Sequence, residues 1–245
     1  MTEPSSRAGD PRWGQEGREA KAEAIVRTLQ SICGASLPRN LWMDIGCGSG
    51  GIAAALAAFA DRVVGVDPES WERWTWYRER HPNVDFHAGG YRDLAAMIGR
   101  ECCDVVVCNQ VYEHVDNPRA LLESIYHALK PGGVCYFAGP NLLWPIEPHV
   151  HWPCVHWLPR RFAQWTMHVL GSRRASELDA YSTHYWRLMR WFREVGYTVS
   201  PAVSARLACG LDLQGWQRPL PRLVARAIDA LAPFSPGLVF VLRKP

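Results

Sequence analysis

A chain of 245 residues, 48% apolar and with a formal charge of only +3, has the length for one domain with a continuous core, and two ordinary domains are not the default. That balance excludes wholesale disorder and a strongly basic nucleic-acid surface, so no nucleic-acid partner is expected. Eight cysteines without a CxxC pair point to reduced thiols and no zinc site, several of them serving as small apolar residues inside strands. The N-terminal stretch has no apolar signal core, and no apolar run approaches the roughly 20 residues of a membrane span. A cytoplasmic location is the expectation.

Residues 1–14 hold Pro, Ser, Gly and charge without periodicity and are expected to form a flexible tail, leaving 15–245 as a single domain. From Gln15 to about Cys33, Ala20, Ala24, Ile25, Leu29 and Ile32 recur at helical spacing, and Gly34 is a plausible stop. Leu41 to Phe59 then runs from a short apolar stretch with one acid, Asp44, through Gly46, Gly48, Gly50 and Gly51 into an alanine-rich segment. That is a strand, a tight turn and a helix, with bare backbone and free amides for a small ligand.

Gly46-x-Gly48-x-x-Gly51 formally satisfies the dinucleotide fingerprint, and Asp67 follows roughly 20 residues on to hold a ribose. Asp44 separates the readings. A carboxylate at the mouth of the turn repels a pyrophosphate and suits a ligand with an ammonium and a sulfonium. S-adenosylmethionine is favoured over a nucleotide diphosphate.

Arg62 to Asp67 is a second strand ending in that acid, Trp71 to Arg80 a helix whose tryptophans are expected to pack, and Val84 to His87 a third strand. A short helix over Asp93 to Ile98 precedes Asp104 to Cys108, a β-branched run expected to be covered on both faces. It leads into Asn109, Gln110 and the turn Glu113-His114-Val115. Asn117-Pro118 opens the next helix, Lys130-Pro131-Gly132-Gly133 closes it, and Val134 to Gly139 is the fifth strand. Such alternation predicts a doubly wound α/β domain around a parallel sheet.

An insertion at about 140–171 interrupts the pattern with four tryptophans, four histidines, one glutamate and four prolines after Pro140. Loops of this length are usually lids or binding segments. Helix from Glu177 to Val195, strand from Tyr197 to Ala205, helix from Leu220 to Leu231 and strand from Leu238 to Leu242 complete the chain, with the last two strands as an antiparallel edge.

Four features in this order and spacing resemble the class I S-adenosylmethionine-dependent methyltransferases, in the group that includes the ubiquinone-biosynthesis O-methyltransferases. They are Asp44-Ile45-Gly46-Cys47-Gly48-Ser49-Gly50, Asp67, Glu113-His114-Val115, and Leu129-Lys130-Pro131-Gly132-Gly133. The resemblance is strong over Leu41 to Pro140 and loose beyond. It implies a mostly parallel, seven-stranded Rossmann-like sheet with an antiparallel last strand. It also implies that Gly46, Cys47, Gly48 and Gly50 pack under the cofactor and that Asp44 faces the methionine amine. Asp67 would hold the ribose, Pro68 or Glu69 would lie by the adenine, and Asn109 and Gln110 would line the methionine side. Where family members carry an acid for the adenine amine this chain has Gly90, which leaves backbone atoms or Asp93.

A sulfonium is already an activated methyl donor, so alignment and exclusion of water are the main needs. For a hydroxyl acceptor a base would add about 10²- to 10⁴-fold, and histidine suits the task. The candidates are His114, and His149 or His151 beside Glu147. Glu147, His149, His151 and His156 match no metal-ligand spacing, so no metal is expected. Trp144, Trp152, Trp157 and Trp165 would wall a small-molecule acceptor, aromatic, sugar or lipid-linked. With Arg160, Arg161, Arg173 and Arg174 the insertion also has the makings of a peripheral contact with an anionic membrane, ranked below a lid and below plain packing. The expectation is a methyltransferase acting at oxygen. Its rivals are a catalytically silent S-adenosylmethionine-binding regulatory protein and a nicotinamide-dependent oxidoreductase, the latter opposed by Asp44.

Overall fold

In a computed structural model of the chain, residues 17–147, 150–173, 175, 178, 182–213 and 221–245 are described. The expected tail at 1–14 and His149 lie outside them, as do much of the stretch from Glu177 to Tyr181 and Leu220. Helix α1 (Arg18–Cys33) precedes β1 (Leu41–Ile45), α2 (Gly51–Leu56), β2 (Arg62–Asp67), α3 (Arg73–Arg80), β3 (Val84–Ala88), α4 (Leu94–Met97), β4 (Cys103–Asn109), α5 (Pro118–Ala128) and β5 (Leu129–Pro140). Then follow α6 (Arg160–Val169), α7 (Tyr185–Val195), β6 (Thr198–Pro201), α8 (Val203–Leu213), α9 (Arg222–Ala230) and β7 (Gly237–Arg243).

The seven strands form one sheet in the order β3-β2-β1-β4-β5-β7-β6. The first five are parallel, while β7 runs antiparallel between β5 and β6. The expected antiparallel pair is present, with β6 as the edge and β7 inside. Alternate strand residues face opposite layers. Val105 and Val107 join α1, α2 and α3 through Ile25, Leu29, Leu56, Trp74 and Tyr77. Val106 and Cys108 join α5 and α7 through Leu121, Ile125, Leu188 and Phe192. Both faces of β4 are therefore covered, as its β-branched run requires.

Chain order reverses beside β1, which pairs with β2 on one side and β4 on the other. In doubly wound sheets ligands bind in the crevice beyond the strand ends at such a point. Register places Ile45 opposite both Val66 and Cys108, so Gly46, Asp67 and Asn109 leave the sheet at one level.

Three boundaries differ from expectation. Val203 to Ala205 begin α8, where the sequence predicts the end of a strand. Asp229 of α9 explains the difference: its carboxylate accepts from the Ser204 amide at 2.9 Å and from the Ser204 hydroxyl at 2.6 Å, so the first turn is capped from another helix. Helix α7 starts only at Tyr185, capped by His184, whose Nδ1 accepts from the Arg187 amide at 3.2 Å. Lys130 to Gly133 lie within β5 as an irregularity, Gly132 at φ 80°, before regular pairing resumes at Val134 opposite Val105.

Candidate functional site

The turn after β1 is fastened to β2, because Val66 O accepts from the Gly46 and Cys47 amides at 2.7 and 3.1 Å. Gly46 sits at φ 68° and Gly50 at φ 90°, where L side chains are strained. Space forbids one as well. A Cβ on Gly46 would come within 2.5 Å of Val111, and one on Gly50 within 2.6 Å of Phe86.

Gly48 is held from both sides. Its amide donates to Asp67 Oδ2 at 2.8 Å, and its carbonyl accepts from Trp74 Nε1 at 2.8 Å. Trp74 is stacked on Phe86 with ring centroids 5.2 Å apart, so this tryptophan packs, as expected, and also clamps the turn. Asp67 Oδ1 accepts from the Glu69 amide at 3.1 Å and from Trp71 Nε1 at 3.4 Å. Half-buried Asp67 thus fixes its own loop while its position stays at the strand tip. Pro68 and Glu69 are exposed beside it.

Asp44 is only 3% exposed, and its Oδ2 has no hydrogen-bond partner among the described residues. Burial pushes its carboxyl up to about 7, opposed mainly by the Arg18 cation, reinforced by the charge of Asp67, and opposed further by the Ala53 amide and Lys21. Lys21 is lowered from its ordinary value by burial and then by Arg18 and Arg206, while Asp44 and Glu113 act to raise it. Sequence reasoning passed over these cations. Arg18 and Lys21 lie three apart on α1, and Arg206 is on α8. The spacing on α1 was a readable signal; its proximity to Asp44 was not.

At the tip of β4 Asn109 is half-buried and Gln110 exposed, the latter left-handed at φ 60° with its amide bonded to Ala138 O at 2.8 Å. A non-glycine residue in that region costs about 1 kcal/mol or more and tends to mark a functional loop. His114 is exposed in the following turn, its amide donating to Val111 O at 3.0 Å. Asp93 turns back on Gly90, accepting its amide at 3.0 Å.

The insertion is braced separately. Asn141 donates to Pro233 O and Ser235 O at 2.9 and 2.8 Å. The Tyr112 hydroxyl donates to Pro140 O and accepts from the Thr183 amide at 3.3 Å. Nε2 of His156 lies 3.1 and 2.9 Å from the carbonyls of Leu142 and Trp144, which requires the proton on that nitrogen. Glu147 is 1% exposed and its Oε2 accepts from the Val150 amide at 2.7 Å, inside a hairpin closed by Ile146 and Pro153. His151 is exposed and left-handed at φ 59°, its amide on Glu147 O at 2.8 Å.

The structure therefore gathers Asp44, the glycine turn, Asp67 and Asn109-Gln110 at adjacent strand ends. Glu147 and His151 sit together in a different element, and no cluster of three metal-ligating residues occurs among the described residues.

A family model described as a methyltransferase domain matches residues 15–201. A ubiquinone biosynthesis O-methyltransferase of Xanthomonas campestris pv. campestris is 26% identical over 180 residues, covering 71% of this chain and 67% of that protein. Among solved structures, the Burkholderia thailandensis 1,6-didemethyltoxoflavin-N1-methyltransferase with bound 1,6-didemethyltoxoflavin and S-adenosylhomocysteine is 19% identical with a TM-score of 0.57, over 98% of this chain and 84% of that one. A plantazolicin methyltransferase in complex with a triazolic desmethylPZN analog and S-adenosylhomocysteine is 13% identical with a TM-score of 0.59, over 93% and 85%.

Proposed function

Because the chain belongs to the methyltransferase-domain family and takes S-adenosylmethionine as its donor, we propose that it moves the methyl group to a hydroxyl oxygen of a small or lipid-linked acceptor. Membership of that family sets aside the nicotinamide-dependent alternative.

The observation that carries the site assignment is Asp44 Oδ2, buried without a partner at the mouth of the glycine turn. A donor ammonium supplies the hydrogen bond that this oxygen lacks, at a position where a pyrophosphate would be repelled. Asp67 accepts from the ribose hydroxyls, with Pro68 beside the adenine. Gly46, Cys47, Gly48 and Gly50 offer backbone to the donor, and Asn109 and Gln110 line its methionine end. When bound, S-adenosylmethionine supplies a sulfonium-activated methyl.

The chain's remaining task is to align the acceptor and take its proton as the new bond forms. His114, four residues past the left-handed Gln110, and the insertion histidines His149 and His151 are the proposed proton acceptors. Glu147 braces the hairpin that carries His151. The preference for oxygen is supported by these imidazoles and by the names of the distant curated relatives.

The test has two arms. S-adenosylhomocysteine should raise the melting temperature, by linkage equivalent to about 2.7 kcal/mol at 100 times its Kd, and NAD should not. With isotopically labelled donor and a panel of phenols, hydroxylated quinones, sugars and amines, label should appear as an O-methyl group. Label only on nitrogen or carbon would overturn the oxygen assignment, and donor binding without transfer to any acceptor would favour a silent regulatory protein.

A further inference from the structure

Two buried polar atoms beyond β5 have no hydrogen-bond partner among the described residues and no part in the donor site. His156 Nε2 meets the carbonyls of Leu142 and Trp144 and so carries the ring proton, which leaves Nδ1 a bare acceptor. That nitrogen is closed to solvent and accepts no bond among the described residues. Thr183 is 5% exposed, and its Oγ1 is likewise buried and unbonded. Native proteins leave few such groups open, and each calls for a reason.

Leu142 ties the two together. Its amide donates to Thr183 O at 3.1 Å, and its carbonyl accepts from both His156 Nε2 and Trp157 Nε1. The Thr183 amide donates to the Tyr112 hydroxyl, so both backbone groups of Thr183 are spent and its hydroxyl alone is open. Leu142 stands two residues past the end of β5, whose Ala138 lies opposite Asn109 and accepts from the Gln110 amide. The open pair therefore flanks the chain just beyond the strand ends proposed to line the methionine part of the donor.

The chemistry of the pair selects its ligand. A bare imidazole nitrogen needs a hydrogen-bond donor, whereas a threonine hydroxyl both gives and takes. A neutral alcohol or phenol has what both lack, a proton for Nδ1 and a lone pair for Oγ1; an ether or a carboxylate has no proton to give. We propose that His156 and Thr183 form a subsite that binds a hydroxyl group of the methyl acceptor. The identity of the occupant rests on the methyl-transfer reading above, and the subsite does not depend on which histidine takes the proton.

The full chain, carrying isotopically labelled histidine and saturated with S-adenosylhomocysteine, is titrated with phenol and followed by nuclear magnetic resonance, with anisole and benzoate as controls of similar shape. The His156 ring is identified by its contact with the Trp157 ring, 5.6 Å away. Phenol should shift the Nδ1 resonance saturably, and the two controls should leave it in place. Thr183→Val keeps the shape and removes the hydroxyl; it should weaken phenol binding roughly two- to tenfold. His156→Gln keeps a donor for the two carbonyls and removes the open acceptor, with a loss of similar size. Both variants should keep the melting-temperature rise with S-adenosylhomocysteine. No saturable shift with phenol, an equal shift with anisole, an Nδ1 already bonded to an internal water that phenol does not displace, or unweakened binding in the folded variants would each overturn the subsite. The titration of the unaltered chain decides even where a variant fails to fold. Methyl label found only on nitrogen or carbon would count against the oxygen reading instead, and the phenol titration would still report on the subsite.

Discussion

The glycine turn and the insertion each bury a carboxylate, and they use it in opposite ways. Glu147 is 1% exposed and spends its Oε2 on the Val150 amide at 2.7 Å within its own hairpin. Asp44 is 3% exposed and leaves Oδ2 without a partner among the described residues. A buried acceptor that is satisfied locally stabilises the loop that owns it. One left open costs the free protein stability and stores that cost as affinity for whatever brings the missing donor. On the proposed site, fold and donor binding are coupled at Asp44, and Glu147 serves its own hairpin.

The strongest way to break this contrast is Asp44→Asn. Removing the charge should weaken S-adenosylhomocysteine binding by about 2–5 kcal/mol, since a buried charge pair loses one partner. The same substitution should raise the melting temperature of the donor-free protein near pH 8, where an ionised buried carboxylate is most unfavourable. If affinity and donor-free stability fell together, the residue would be a structural acceptor like Glu147.

The second test uses pH. With Asp44 raised to about 7 in the free protein, the folded state holds a proton that the unfolded chain releases at its ordinary carboxylate value. The Asp44 contribution therefore favours the free protein below about pH 4, declines as pH rises from about 4 to 7, and is flat above. Binding an ammonium requires the ionised form. Affinity for S-adenosylhomocysteine should then fall about tenfold per pH unit from 7 down to 5.5, with proton release visible by calorimetry in buffers of different ionisation enthalpy. A pH-independent affinity over that window would remove Asp44 from the ligand contact.

A smaller effect is expected for Asp67→Ala, about 1–3 kcal/mol of donor affinity by titration calorimetry, because a charged acceptor is lost. Part of that loss comes through Gly48, whose amide Asp67 holds at 2.8 Å. An unchanged affinity would leave Asp67 as a turn residue alone. Smallest is Glu147→Gln. The amide oxygen still accepts from Val150, so unfolding free energy should change by less than about 1.5 kcal/mol and turnover by no more than about threefold. A loss of turnover of 10²-fold or more with an unchanged melting temperature would place this carboxylate at the reacting atoms.

What was readable in the chain divides along the same line. The Asp44 to Gly50 turn, Asp67 and the ends of β4 announced themselves because their geometry is local: glycines where φ is positive, an acid at a strand tip, a β-branched run between two helical layers. Arg18 and Lys21 did not, since their approach to Asp44 depends on how α1 packs against the sheet, and neither did Arg206 of α8, which acts on Lys21. The start of α8 was misread for a related reason, its cap being Asp229, 25 residues along the chain from Ser204. In the insertion, the prolines and aromatics declared a distinct segment without telling that His156 would be spent on the carbonyls of Leu142 and Trp144 while Trp165 would stay outside.

The clamp on Gly48 has a kinetic corollary. A turn whose amide and carbonyl are already held by Asp67 and Trp74 has little backbone freedom left to lose when a donor arrives. Its association step then carries no ordering delay, and a spent donor finds no hinge in the turn through which to escape. Residence time at this site should be set by how tightly Asp44 and Asp67 grip the ligand, rather than by any opening of the glycines.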